Sequence, residues 1–545
     1  MLAFAVRVGR ISDPVNIQTL RASALGALHA FVREAQALEL PADALALSRA
    51  AVAALLDDAV LGTAWGSGDW EAELVVSDIA PEITGTGFHD GVDRQLEEPS
   101  APRAVLELVY LCLSLGLSGR CWSLSDAAAR RDALRERLWR ALGGADATNG
   151  LSPEWAGLAM PAVAPSRSPS DWLASLLRRP TAGEAALIDG LTRDPDGDAA
   201  DVERQVFRER FAEGMSFVAQ YLRRKGQSLT RLPWYAVIGA PGTGMMSALR
   251  NSGLEFPLHD HSFLGTLQGV GGTRHCEFCL TDRAMFLDTV GRLVVEDAAA
   301  AARYRAEWLA FLALLKRTRP SQPVNGVILA VSIVDLLHAT AEHRRMHAAA
   351  LRARLVEFQD GLRTRLPVYM LITKLDLLVG FVEFFDALDR RERDQVLGFS
   401  LPLEPDEAGA AARWQILPRF ERLIERQRRL MIDRLWFEHD VSRRALIHEF
   451  PAQLASLGRV LDDFARQVFD GADLALPLLP RGLYFTSSMQ EGRPIDRWLP
   501  VIAATMGITP SPPAEHRSEG RAFFLHRLYG ALMPGEAGLV ATLAR

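Results

Sequence analysis

The segment Gly239-Ala-Pro-Gly-Thr-Gly244 carries the residue types and spacing with the clearest chemical meaning in this chain. It follows an apolar run and precedes a stretch with helical spacing. That is the setting of a phosphate-binding G-x-x-x-x-G-K-[ST] loop, whose glycines let backbone N–H groups turn toward an anion at a helix N-terminus. Met245 and Met246 stand where such a loop places Lys and Ser or Thr. Without the lysine a triphosphate loses its fixed cation, and without the hydroxyl Mg²⁺ loses its protein ligand. Further groups end later apolar runs. In Asp288-Thr-Val-Gly291 the carboxylate could hold a metal-bound water and Gly291 could meet a γ-phosphate. In Thr373-Lys374-Leu375-Asp376 the lysine could stack on a base and the aspartate accept from a guanine ring. Thr486-Ser487-Ser488 closes the series, and Thr273 lies in a loop that could respond to nucleotide. Doubly wound sheets collect ligands at strand C-termini, so the order of these groups points to a GTPase-like fold. The vestigial nucleotide set is therefore Gly239, Gly242, Gly244, Met245, Met246, Thr273, Asp288, Gly291, Thr373, Lys374, Asp376 and Ser487, with no catalytic residue among them.

Two other chemistries compete. Arg250, Arg274 and Arg292 are the nearby cations that could serve a transferring phosphate, although surface or helix-capping arginines have the same appearance. Restoring the loop through Met245→Lys with Met246→Thr would then create nucleotide affinity if the pocket is otherwise intact. His259, His261, His275, Cys276 and Cys279 fall within about 20 residues and could form a tetrahedral zinc set, but the spacing is loose and a cysteine is as readily a small core residue. The expectation is no metal and no resident cofactor, with GTP or ATP and Mg²⁺ at most weakly bound.

These groups need elements to hold them. At 545 residues the chain is long enough for several cores, and its composition (49% hydrophobic, 23% charged, net charge -6) is that of a globular protein with no electrostatic pull toward nucleic acid. Its four cysteines, the lack of a signal-peptide pattern and the lack of an uninterrupted apolar span suggest a cytoplasmic address without a transmembrane segment; the best candidate span, Ala104 to Gly119, is short and contains Glu107. Three- and four-residue apolar spacing predicts helices over Ile17–Leu38, Ala44–Leu61, Val105–Leu117 and Ala127–Leu142, hence an all-α bundle over residues 1–145. Residues 146–204 are punctuated by prolines and read as a linker with a short helix at Asp171–Leu177. Residues 205–545 then alternate helices with the apolar runs Trp234–Ile238, Ala284–Leu287, Gly326–Val334, Val368–Thr373 and Leu483–Thr486, which predicts a doubly wound, mainly parallel sheet; a helical subdomain is inserted at about 405–475. The expected fold class is α + α/β.

From Leu232 onward the chain resembles the cytoplasmic domain of the IcmF family, the large inner-membrane subunit of type VI secretion. The resemblance rests on Leu232-Pro-Trp-Tyr-Ala-Val-Ile-Gly239, Gly272-Thr-Arg-His-Cys276, Phe286-Leu-Asp-Thr-Val-Gly-Arg292, Pro323-Val-Asn-Gly-Val-Ile328, Thr373-Lys-Leu-Asp376, Gly380-Phe-Val-Glu-Phe-Phe385 and Gly482-Leu-Tyr-Phe-Thr-Ser-Ser488. The first ~145 residues resemble the DotU family, the partner subunit, through Ala54-Leu-Leu-Asp-Asp-Ala-Val-Leu-Gly-Thr-Ala-Trp-Gly66 and Leu106-Glu-Leu-Val-Tyr-Leu-Cys-Leu-Ser-Leu-Gly-Leu-Ser-Gly119. The IcmF family commonly carries the intact Lys-Thr pair that Met245 and Met246 replace, and both families carry membrane helices that are not found here. The resemblance implies a non-catalytic assembly subunit of the secretion membrane complex. Its two regions would dock on each other and on other membrane-complex and baseplate proteins, peripherally at the inner membrane. A slow GTPase or ATPase switch is the alternative.

Overall fold

The computed structural model describes residues 1–8, 17–63, 65–66, 69–83, 86–119, 127–144, 150–153, 216, 219–224, 232–240, 242–256, 277–281, 283–288, 312–313, 315–316, 319, 322–403, 416–470, 478–488, 491–492, 494–497, 516–517 and 521–542. The N-terminal region is helical: α1 Leu2–Val8, α2 Ile17–Gln36, α3 Ala42–Leu61, α4 Asp69–Ala72, α5 Val75–Ile79, α6 Gly87–Glu97, α7 Arg103–Ser114 and α8 Ala127–Ala141. The helices expected from apolar spacing appear with ends shifted by a few residues, while α1, α4, α5 and α6 were not foreseen. The helix expected at Asp171–Leu177 lies outside the described residues.

Helix α3 is the axis of this region. Every residue from Ala50 to Leu56 is buried, so its apolar pattern has no solvent face. The Asp57-Asp58 pair organises the loops around it. Asp57 accepts from Trp70 Nε1 (2.9 Å), Val75 N (3.1 Å) and Val76 N (2.8 Å), which holds the N-terminus of α5. Asp58 Oδ2 accepts from Ser118 N (2.6 Å), Ser118 Oγ (3.0 Å) and Gly119 N (2.7 Å), fixing the turn after α7. Burial pushes the Asp57 carboxyl up to about 6, against the pull of its three N–H donors. Because that value lies above the unfolded one, the folded state holds the extra proton. The resulting stabilisation is full below about pH 4 and is lost as pH rises through about 6. Urea unfolding of wild type and Asp57→Asn between pH 4 and 7 is expected to show a stability difference that changes by about 3 kcal/mol across this window. A pH-independent difference would locate the titration elsewhere.

The apolar runs of the second half become strands β1 Trp234–Gly239, β3 Met285–Asp288, β4 Gly326–Ser332, β5 Pro367–Thr373 and β7 Leu479–Phe485, joined by β2 Glu277–Leu280 and β6 Leu397–Ser400. They form one sheet in the order β2-β3-β1-β4-β5-β7-β6; β3, β1, β4, β5 and β7 are parallel, and the two edge strands run antiparallel to their neighbours. The edges are short four-residue strands, which is why their signal is weak in sequence. Strand β4 ends before Val334 because the Ser332 side chain accepts from Val334 N and caps α10 (Ile333–His338). The long helix α11, Ala341–Leu362, follows.

Side chains alternate across the sheet. Trp234, Ala236 and Ile238 of β1 enter one apolar cluster; Tyr235 and Val237 enter another with Phe286, Tyr369, Tyr484 and Tyr529 on the opposite face. The second face is closed by the C-terminal segment. Glu536 accepts from Tyr369 Oη (2.9 Å) and takes both arms of Arg481 (2.9 and 2.7 Å), and Asn325 donates to Ala537 O (2.9 Å).

The insertion consists of α14 Ile416–Phe437, α15 Val441–Ala455 and α16 Gly458–Phe469, preceded by the short helices α12 Phe381–Phe385 and α13 Arg390–Arg393. It joins the helical region to the sheet. One apolar cluster runs from Ala5, Leu28, Leu56 and Val109 through Leu435, Phe450 and Phe420 to Leu329 and Ile372. Polar contacts sharpen the junction. Arg135 donates to the last carbonyls of α14, Leu435 O (3.1 Å) and Trp436 O (2.9 Å), a cation where a helix C-terminus favours one. Trp139 stacks on Trp436 at 4.9 Å between centroids and donates to Asp433 (3.0 Å). Tyr110 Oη donates to Ile432 O (2.9 Å). Arg7 binds Glu449 and Asp496 at once (2.7 and 2.9 Å), with all three side chains at least nine-tenths buried. Residues 150–153 extend the junction: Ser152 Oγ donates to Val396 O (2.9 Å) and Gln427 donates to Leu151 O (2.7 Å).

Candidate functional site

The glycine-rich loop leaves the C-terminal end of β1 and enters α9, Met245–Arg250. Gly242 (φ 79°) and Gly244 (φ 77°) are left-handed, a conformation that costs a side-chain-bearing residue about 1 kcal/mol or more. Gly239 serves packing, since a Cβ there would lie 2.8 Å from Ala330 O on β4. Two of the loop glycines thus take left-handed conformations, and the third is required by the neighbouring strand.

The Thr373-Lys-Leu-Asp group comes to the same place from the end of β5. Thr373 Oγ1 donates to Thr243 O (2.7 Å), tying the two strand ends together. Lys374 is itself left-handed (φ 60°), and its Cε would lie 3.5 Å from a methyl on Gly244. The lysine stem therefore lies over the last loop glycine. Asp376 is buried, burial pushes its carboxyl up to about 6, and the Ser487 side chain hydrogen-bonds it. Its Oδ1 has no hydrogen-bond partner among the described residues. Leu375 N donates to Thr486 O (3.2 Å), which brings the end of β7 into the same cluster.

Gly239, Gly242, Gly244, Thr373, Lys374, Asp376 and Ser487 therefore converge. Asp288 is the last residue of β3, in register with Val237 on β1; its side chain lies outside the description, as does that of Met246 in the first turn of α9. Thr273 and Gly291 fall outside the described residues, as do Arg274 and Arg292, and Arg250 is exposed at the end of α9. Of the cysteine and histidine cluster, His259, His261, His275 and Cys276 also lie outside. Cys279 is buried in β2, and the described residues contain no group of three or more side chains placed to hold a metal.

Met245, at the position of the missing lysine, points away from the loop. It is 3% exposed and packs with Tyr235, Leu249 and Phe286 in the apolar cluster beneath the sheet, where Tyr529 Oη donates to its sulfur at 3.4 Å. Sequence spacing identified the substitution but carries no information on this direction. The buried Arg7–Glu449–Asp496 group also escaped the sequence reading, although a lone arginine in the apolar helix Leu2–Val8 is a signal that could have raised it.

No helix among the described residues is long and apolar enough to cross a membrane. Residues 1–178 match the family model "Type VI secretion system protein DotU", and residues 301–545 match that of the IcmF-related N-terminal domain. The chain is 40% identical over 351 residues to the type VI secretion system component TssM1 of Pseudomonas aeruginosa (strain PAO1), an alignment covering 63% of this chain and 32% of that protein. The chain thus spans about a third of the length of the curated relative it matches. No solved structure matches it. The polypeptide thus joins a region that matches the DotU family model to a region that matches the IcmF-related N-terminal domain.

Proposed function

We propose that this chain is a non-catalytic assembly subunit of the type VI secretion membrane complex, built on a GTPase-like sheet whose phosphate loop no longer grips a triphosphate. The observation that carries this reading is the burial of Met245: the side chain at the lysine position is part of the hydrophobic core and presents no charge to an anion. The order of the five parallel strands, with the antiparallel β2 beyond β3, supports a nucleotide-binding ancestry. The work left to the fold is recognition. The DotU-like and IcmF-like regions are held as one unit through a shared core, and their outer surfaces serve other membrane-complex and baseplate proteins at the cytoplasmic face of the inner membrane.

A nucleotide switch is the second reading, favoured by one arrangement. The Lys374 stem over Gly244 and the unpaired Asp376 Oδ1 could face a purine ring, and GTP or ATP would be the ligand. Titration calorimetry with GTP and ATP, with and without Mg²⁺, separates the two. The assembly reading expects no Mg²⁺-dependent heat at micromolar nucleotide. Micromolar affinity that needs Mg²⁺ and disappears in Asp288→Ala would establish the switch.

A further inference from the structure

We propose that this chain carries a second anion site, separate from the phosphate loop, that takes a small molecule bearing a phosphate group. A cavity of about 360 Å³ opens between α13, the turn after α9 and the segment at residues 521–526. Arg390, Arg393 and Arg521 line it with His526, and the carboxylate that shares the lining is Asp394.

The other acidic residues of this stretch are engaged nearby. Asp389 accepts from Glu392 N and caps α13, and the Glu392 side chain accepts in turn from Asp389 N. Asp386 is shared between Arg521 and Arg443, both at 3.0 Å. With Arg521 paired to Asp386, Arg390 and Arg393 still outnumber Asp394 in the lining, which leaves the cavity a cationic excess in a protein whose net charge is -6. Guanidinium groups present planar, paired donors that match phosphate oxygens, and the volume lies at the lower end of small-ligand pockets.

The walls are also held in place. Arg393 donates to Leu388 O (2.9 Å) and its carbonyl accepts from Phe524 N (2.8 Å), while His526 Nδ1 lies 3.2 Å from Ser252 O. Asn251 donates to Ser488 O (3.2 Å), and Ser487 exchanges backbone bonds with Phe523. A bound anion would thus bear on the strand-end segment beside Asp376 without occupying the loop at Gly244.

The test is titration calorimetry of the whole chain with inorganic pyrophosphate and with orthophosphate at constant ionic strength. Saturable pyrophosphate binding at or below millimolar concentration is expected. It should weaken at least tenfold in Arg390→Gln/Arg393→Gln and remain unchanged in the distant, exposed Arg429→Gln. Should Arg393→Gln lower the unfolding midpoint, Arg390→Gln/Arg521→Gln supplies the same reading. No saturable heat at millimolar pyrophosphate, or affinity that survives these substitutions, overturns the proposal. So does loss of binding in Lys374→Ala, which would move the anion to the phosphate loop.

Discussion

Replacing Arg7 by alanine is expected to lower the unfolding free energy by about 3–5 kcal/mol, because it leaves Glu449 and Asp496 as buried carboxylates without their cation. The guanidinium serves both at once: Nε and Nη2 bind Glu449 at 3.0 and 2.7 Å, and Nη2 also reaches both oxygens of Asp496. Gln453 donates to Asp496 at 2.7 Å and accepts from Arg497 N at 3.0 Å, so the arginine closes a network that extends past α15. Lysine at position 7 should recover little, since a single ammonium cannot reproduce the forked donation. The triple change Arg7→Met/Glu449→Leu/Asp496→Leu should recover most of the loss, because apolar side chains of similar volume can replace a buried ion group at little cost. Urea unfolding followed by tryptophan fluorescence measures all three. A loss below about 1 kcal/mol in Arg7→Ala would show that water reaches the carboxylates and that the group does not hold the junction.

The second large effect is expected at the phosphate loop. Met245→Lys should destabilise the protein by about 3 kcal/mol or more, since it places an ammonium among Tyr235, Leu249, Phe286 and Tyr529, and Glu536, the carboxylate that closes this face, is already held by Tyr369 and Arg481. Met245→Leu should cost less than about 1.5 kcal/mol, as a swap of similar volume. Adding Met246→Thr to Met245→Lys is then expected to fall short of a working triphosphate site, contrary to what motif spacing alone suggests. Thermal unfolding and nucleotide calorimetry of the same variants decide it. An unchanged midpoint with micromolar, Mg²⁺-dependent binding in the double variant would show that the lysine turns back over the loop and that the pocket is otherwise complete.

Much of the architecture was legible because its signals are contiguous. Apolar runs of β-branched and aromatic residues marked the five parallel strands, and the strand-end groups Gly239–Gly244 and Thr373–Asp376 came together as the topology of such sheets requires. The edge strands Glu277–Leu280 and Leu397–Ser400 were missed, since four residues with one neighbour each leave a weak pattern. The acidic pair Asp57-Asp58 was read only as part of a family resemblance. The structure supplies its physical role, which is to satisfy backbone N–H groups of two loops that α3 could not otherwise hold.

The sequence by itself determined the resemblance to two families, the five apolar runs that become the parallel strands and the loss of a lysine and a hydroxyl after Gly244, because each is written in residues adjacent along the chain. Only the tertiary structure decided where the replacement side chain goes and what joins the two regions. Met245 is buried by Tyr529, and Arg7 is neutralised by Glu449 and Asp496, partners 284, 442 and 489 residues away. Local spacing sets backbone conformation, but the burial of a side chain and the pairing of a charge depend on which distant elements pack against it.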